Sequence, residues 1–451
     1  MVSLLVAFLP ADAFPLPVES IMRGPALIGH APRGLRWSAD GTQIGFSWAK
    51  TDGTKDPAYK SYIVKADGTG LAEGTLPRET PPARNAWDSG SKSGEKTVYE
   101  EGGDLWVYDA ATKESKRILE TPERESNPRF VAGSGDIVFI KSENVWRLGP
   151  DGKTIQLTDL RTEATKDAAD IPGAVKFVTP PDFRKSLSLS ADGRAAIIYL
   201  QENPKEDRPS QVPNYISRSG YSELIPTYPK VGGPQSQTKL HTIDLSAGTI
   251  SEVVFPKRGR MGQFQWSPDS KYGVAWAYSE DSEDGWLYVF DGSKNAAKVI
   301  WNEHNDAWIG GPGRGRLGWL PDSSKVYFQS ENTGFANLMT IDPDGQNPKN
   351  LTEGPFEVSE LRPDPERNRF IFVSSEAGPA FRHVASVPFT GGPRTKLAEY
   401  SADEDAEFAM SPDGKEFAVV KSTSNRPAEL FVKDKQITVT PTAEWLAGPW
   451  I

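Results

Sequence analysis

Trp266-Ser267-Pro268-Asp269-Ser270 decides the fold, because the chain keeps returning to it. The same pattern reads Trp37-Ser38-Ala39-Asp40-Gly41, Leu189-Ser190-Ala191-Asp192-Gly193 and Trp319-Leu320-Pro321-Asp322-Ser323. It returns again as Leu361-Arg362-Pro363-Asp364-Pro365 and Met410-Ser411-Pro412-Asp413-Gly414. Proline presets φ for the second position of a type I turn, Asp tolerates the third, and Gly or a small polar residue suits the fourth. Strand-like runs follow, as in Ile44-Gly45-Phe46 and Phe370-Ile371-Phe372-Val373, so each copy is predicted to close a β-hairpin. These aspartates are therefore read as turn residues, not as metal ligands or catalytic acids.

Spacing turns the motif into an architecture. Successive aspartates lie 53, 42 and 49 residues apart from Asp269 through Asp322 and Asp364 to Asp413. Asp40 to Asp192 is 152 residues, room for three units, and Asp192 to Asp269 is 77, one unit plus an insertion. Two degenerate units fill the first gap, one with Lys96 to Glu101 and Asp104 to Asp109, the other with Ile137 to Lys141 and Val145 to Leu148. Further strand pairs close the units, such as Trp286 to Asp291 and Asn337 to Asp342. No stretch sustains a 3.6-residue apolar period. The expectation is an all-β chain, a β-propeller of eight blades with four antiparallel strands each, seven being the alternative count.

Composition agrees with a packed chain. Of 451 residues, 41 are Gly and 37 Pro, which suits frequent turns, and 13 Trp supply large apolar area despite a mean hydropathy of -0.51. A net charge of -10 and a pI near 5.2 argue against nucleic acid, whose binders carry basic patches. With no cysteine, disulfides, thiolate nucleophiles and Cys-ligated zinc are excluded. Val2 to Leu9 is a short apolar run before Ala11-Asp12-Ala13, so residues 1–13 look like the tail of a signal peptide, although the usual positive n-region is missing. This predicts a periplasmic or extracellular protein. No later stretch reaches the ~20 apolar residues a membrane helix needs.

The repeat breaks once. Residues 201–238 hold six prolines and the tyrosines Tyr215, Tyr221 and Tyr228. Long loops on a repeat scaffold are functional or disordered, and this aromatic content favours function. Tyrosine and arginine make interface hot spots. Tyr215, Arg218, Tyr221, Tyr228, Arg208 and Glu223 are therefore the candidate partner- or substrate-binding residues. Other chemistry is not visible. The chain has no G-x-S-x-G; Gly90-Ser91-Lys92-Ser93-Gly94 comes nearest and centres on a lysine. His30, His241, His304 and His383 form no metal-binding pair. Glu280, Ser282, Asp284, Gly285 and Asp291 follow a calcium loop only loosely, and Gly310 to Gly315 lacks the Lys-Ser/Thr ending of a phosphate loop. No cofactor, metal or catalytic residue is expected.

The W-S-P-D-G/S turn is similar to the propeller repeat shared by the translocation protein TolB, the tricorn protease and the N-terminal domain of prolyl oligopeptidase-type serine peptidases. Val212-Pro213-Asn214-Tyr215 through Ser219-Gly220-Tyr221, followed by Lys230-Val231-Gly232, resembles the loop before a closing hairpin in dipeptidyl-peptidase propellers. Val439 to Leu446 resembles the link into their α/β-hydrolase domain. The resemblance implies a propeller over 20–440, a linker over 441–451, and a serine triad in a hydrolase domain absent from this chain. It implies a peptide substrate, with the propeller gating and positioning it. In dipeptidyl peptidases a Glu-Glu pair on a propeller insertion holds the substrate amine. Here Glu100-Glu101 is the only adjacent pair and sits at a strand end, so that role does not transfer. The alternative is a stand-alone TolB-like periplasmic propeller that binds a protein. Oligomeric state is not legible.

Overall fold

The computed structural model describes residues 17–51, 57–76, 91–202, 210–227, 237–257, 259–291, 295–311, 316–400, 406–423 and 425–448. The leader-like residues 1–13, and Arg208 and Tyr228 of the insertion, lie outside the described residues. The chain divides into two compact units. One combines Met1–Glu79, Phe370–Pro388 and Pro393–Ile451; the other combines Thr80–Arg369 and Phe389–Gly392.

Both units are built mainly from four-stranded antiparallel sheets whose strands follow one another in chain order. In the first unit one sheet is Arg33–Trp37, Gln43–Trp48, Lys60–Lys65 and Ala72–Glu73, and another is Glu407–Met410, Phe417–Thr423, Arg426–Val432 and Lys435–Gln436. In the second unit the four-stranded sheets begin at Ser91–Ser93, Glu125–Phe130, Phe183–Leu189, Arg260–Trp266 and Leu317–Trp319. Among the described residues helix is confined to short pieces such as Pro25–Ile28 and Ala443–Leu446. Second strands read as continuous apolar runs because a sheet that stacks on both sides buries both faces of its inner strands. Tyr272–Tyr278 and Val326–Ser330 are buried almost throughout, whereas the last strand Glu114–Leu119 is largely exposed.

The repeated turns share one bonding scheme. The Ser267 hydroxyl donates to Asp269 Oδ1 at 2.7 Å and accepts the Tyr272 N–H at 3.0 Å. Asp269 Oδ1 also accepts the Lys271 N–H at 3.2 Å. Ser38 and Asp40, Ser190 and Asp192, and Ser411 and Asp413 repeat it. The fourth position takes the left-handed region, with φ of 69° at Gly41, 62° at Ser270 and 70° at Gly414, which explains its small residues. The copy at Asp364 departs. Arg362 replaces the serine, so the buried Asp364 carboxylate is held by Arg367 at 3.0 Å and Arg369 at 2.9 Å, and the left-handed residue moves to Asn368.

Turns also bond to turns. In the second unit the Ala132 N–H donates to Asp192 O, the Asp192 N–H to Ser270 Oγ and the Asp269 N–H to Ser323 Oγ, each at 3.0 Å. In the first unit the Trp37 indole donates to Ala409 O at 2.9 Å, and Glu407 accepts the Gly34 and Leu35 N–H groups at 2.7 and 2.8 Å. Beneath these bonds Trp37, Phe46 and Trp48 pack against Val420 and Leu430, so a sheet from early in the chain is stacked on one from its end. A second device recurs at Thr158, Thr352 and Thr438, whose hydroxyls accept the N–H of Val145, Leu338 and Leu430 at 2.9, 2.8 and 2.9 Å. Each tacks the segment leaving the fourth strand onto the third.

The scheme predicts that Ser411→Ala, which deletes both a donor and an acceptor, lowers stability by about 1–2 kcal/mol. Urea unfolding measures it, and an unchanged midpoint would show that the turn is held by backbone conformation alone.

Candidate functional site

In an antiparallel meander the first and third hairpins lie at one end of the sheet, the second at the other. The repeated motif is always a first hairpin. The segment 203–237 joins the second strand, Ala195–Glu202, to the third, Thr238–Asp244, and so rises from the opposite end. The Glu202 N–H donates to Gln237 O at 2.8 Å and closes its root.

Within the insertion, Gln211–Asn214 pairs with Glu223–Pro226 as a two-stranded hairpin. The sequence reading placed a loop there; the structure makes it a β-arm, because Val212 and Ile225 face each other across the ladder and Gly220 supplies a left-handed turn residue with φ of 73°. Its tip is tied by the Ser219 hydroxyl to Glu223 Oε1 at 2.9 Å and by Asn214 Oδ1 accepting the Ile216 N–H at 3.1 Å. Four of the six candidate binding residues lie here. Tyr215 and Tyr221 are 79% exposed, Arg218 is exposed, and Glu223 is exposed and engaged by Ser219. Ile216 is 93% exposed and Leu224 64%, two apolar groups that the sequence reading did not single out. A lone two-stranded hairpin with its apolar groups in water is suited to contact something else.

Other charged groups at this end are already committed. Glu100 accepts an ion pair from Arg124 at 2.9 Å, and the two line a cleft of about 380 Å³ with Asp104, Thr121 and Glu123. Glu101 Oε1 is buried, so Glu100 and Glu101 do not present two free carboxylates together. Burial raises the pKa of Glu125, which takes a hydrogen bond from Thr121. Arg161 is buried and donates to both oxygens of Asp159, at 3.0 and 2.6 Å, and to the carbonyls of Lys166, Ala168 and Ala169. It acts as the internal post of the exposed loop between Thr158–Arg161 and Val175–Val178, which pair in parallel.

The histidines are dispersed. His30 lies against Tyr59 and His241 against Phe177. His304 sits between two carboxylates, with Nδ1 3.1 Å from Asp284 and Nε2 3.1 Å from Asp306. Glu280, Ser282, Asp284, Gly285 and Asp291 lie on a turn and its following strand, Asp284–Asp291. Among the described residues no group of three or more His, Asp or Glu side chains is arranged to hold a metal ion.

Stacked four-stranded sheets, joined through turns at one end and carrying a β-arm at the other, define a repeat-built all-β scaffold of the propeller class. The model of the dipeptidyl peptidase IV (DPP IV) N-terminal region matches residues 91–428, and the chain belongs to that family. It is 24% identical over 391 residues to the Emericella nidulans protein named "Probable dipeptidyl peptidase 4", covering 77% of this chain and 49% of that protein. It is 26% identical over 272 residues to dipeptidyl peptidase 4 of Arthroderma otae, covering 56% of this chain and 34% of that one. The chain thus spans half or less of these relatives' length. Porphyromonas gingivalis dipeptidyl peptidase 4 shares the fold with a TM-score of 0.56 at 17% identity, over 96% of this chain and 62% of that structure.

The two carboxylates flanking His304 favour its charged form and raise its pKa, Asp306 contributing most, whereas burial lowers those of His241 and His383. A histidine with a raised folded-state pKa contributes stability below its unfolded value, and that contribution fades as pH rises through the folded midpoint. NMR titration is expected to place the His304 midpoint above 6.5, and Asp306→Asn to lower it. A midpoint unmoved by the substitution would show that Asp306 does not hold the ring.

Proposed function

We propose that the sheets are the eight blades of a β-propeller, four strands each, extending over 20–440, and that this propeller gates and positions peptides for a serine-peptidase hydrolase domain. The observation that carries the reading is the match of residues 91–428 to the N-terminal region of dipeptidyl peptidase IV. The relatives' names supply the reaction class, release of dipeptides. On this reading bond cleavage belongs to the hydrolase domain, reached through a linker over 441–451, and the propeller contributes selectivity. The protein works in the periplasm or outside the cell.

The first unit supports this reading at its surface. Arg23 pairs with Glu444 at 2.6 Å, the Thr442 N–H donates to Leu27 O at 3.1 Å, and Thr51 Oγ1 donates to Thr440 O at 2.5 Å. The segments before its first strand and after its last are therefore laced together. In the laced segments Val18, Met22, Ile28, Val439 and Leu446 are exposed, apolar groups suited to contact with a hydrolase domain. The β-arm favours a second reading, a TolB-like propeller that recruits a protein through Tyr215, Arg218, Tyr221 and Glu223 and, outside the described residues, Arg208 and Tyr228.

The test uses chromogenic dipeptide substrates. The chain alone is expected to give no turnover. Joined through its C-terminal segment to the hydrolase domain of a fungal relative, it should give turnover that a serine-directed phosphonate blocks and that favours short peptides over long ones. Phosphonate-sensitive turnover by the chain alone would overturn the reading, and so would indifference of the fusion to peptide length.

A further inference from the structure

We infer that the cleft between the sheet holding Glu125–Phe130 and the sheet holding Phe183–Leu189 takes the C-terminal carboxylate of a short peptide, with the Lys185 ammonium as its counter-charge. That the ligand is a peptide rests on the proposed function; that it is a carboxylate is argued from the cleft itself.

The strand registers turn the lining side chains into this gap. On the first sheet Ser126 stands opposite Ile140, on the face that packs against the second. On the second sheet Lys185 stands opposite the buried Leu200, on the same face as Leu187 and Leu189. Ser126, Ile140, Lys185 and Leu187, with the turn residues Ser142 and Glu143, line a cleft of about 330 Å³, at the small end of the range for small-molecule sites. The Lys185 side chain is only 7% exposed. Its ammonium donates to Leu160 O at 3.1 Å. Leu160 is itself fixed, because its N–H donates to Asn144 Oδ1 at 2.7 Å, and the Asn144 amide donates to Ser142 O at 3.1 Å. The positive charge is therefore held in place before a ligand arrives.

A buried ammonium needs a counter-charge. Among the described residues its one carboxylate partner is Glu143, 3.0 Å away. That partner is ill-suited to a permanent post. Its side chain is 71% exposed, and it sits in a two-residue turn between Lys141 and Asn144, where Ser142 and Glu143 have φ of 46° and 58°. Asn and Gly adopt such a turn most readily, so the chain accepts strain to set a hydroxyl and a carboxylate at the cleft. Glu143 marks where a ligand carboxylate sits, and its exposed side chain is free to turn into water when one arrives. A single ammonium matches a single negative charge, and Ile140 and Leu187 flank it with apolar surface. The ligand is thus one carboxylate beside an apolar group, which is what the C-terminal residue of a peptide offers. Arg124 stands at the edge of the cleft, but its guanidinium is engaged by Glu100 at 2.9 Å, so Lys185 is the cation that selects. The turn is a second hairpin, at the end of the sheets from which the β-arm rises. An anchored C-terminus gives the preference for short peptides a physical basis.

Calorimetry on the whole chain tests this with the peptide Ala-Ala-Leu, its N-acetyl form and its C-terminal amide. The free and N-acetylated peptides are expected to bind alike, and the amide roughly tenfold more weakly, the loss of one charge-assisted contact. Lys185→Met is expected to abolish that difference. Glu143→Gln gives a readout of opposite sign. It removes the competing carboxylate and is expected to tighten Ala-Ala-Leu, whereas loss of a merely structural ion pair would weaken binding or leave it unchanged. Thermal melting confirms that both variants are folded. No heat with Ala-Ala-Leu up to about 10 mM, the weak end of specific affinity, overturns the inference. Equal binding of acid and amide, or binding that Glu143→Gln leaves unchanged or weakens, also overturns it. The chain is measured without a hydrolase domain, so a fusion that gives no turnover would sink the proposed function and leave the binding result standing.

Discussion

The hydrogen bond from one turn to the next is the constraint on which the rest of the scaffold rests. The Asp269 N–H can reach Ser323 Oγ only if Ser323 sits at the fourth position of its own turn, with φ of 62°, and its sheet is in register with the neighbour. A left-handed serine costs roughly 1 kcal/mol that glycine would not. Gly41, Gly193 and Gly414 take the relaxed option, whereas Ser270 and Ser323 keep a hydroxyl and spend it on the adjoining turn. The variation between Gly and Ser at that position is therefore a record of which turns are bonded to a neighbour through that side chain.

With one end of the sheets carrying these turns fixed in this way, variation is carried by the other. The β-arm, the loop posted on Arg161 and the His304 carboxylate pair all stand on second hairpins or on the segments between sheets. Arg161 illustrates why a long loop can be tolerated there. A buried guanidinium without partners would be strongly destabilising, but this one spends its N–H groups on a carboxylate and three carbonyls, so the loop's own backbone neutralises its cost.

Much of this was legible in the sequence, for a physical reason. The turn's chemistry is local, four or five residues bonding to one another, so Ser267-Pro268-Asp269 can be read without knowing the fold. The same locality made the insertion stand out. What escaped depends on contacts between distant residues. Thr158, Thr352 and Thr438 act across 13, 14 and 8 positions, yet each follows a Leu or Ile at the end of a fourth strand, a signal that was present and unread. The β-pairing inside the insertion was masked by its prolines, two of which, Pro213 and Pro226, are accepted because a two-stranded arm is all edge. Glu100 was set aside as an amine clamp on its strand-end position alone; Arg124, 24 positions away, was invisible as its partner.

The gap between the sheet holding Thr238–Asp244 and the sheet holding Arg260–Trp266 follows from the same geometry. Adjacent sheets touch best where their inner strands are packed, as Leu240, Ala275 and Phe290 are. Towards the end opposite the bonded turns, the fit is decided by the connecting segment. There Gly259 passes the Tyr278 carbonyl too closely for any Cβ, and Val254 before it has left its own sheet to bridge Ala296, in the third hairpin of the next one. The segment is thus held away from the gap between the sheets rather than filling it.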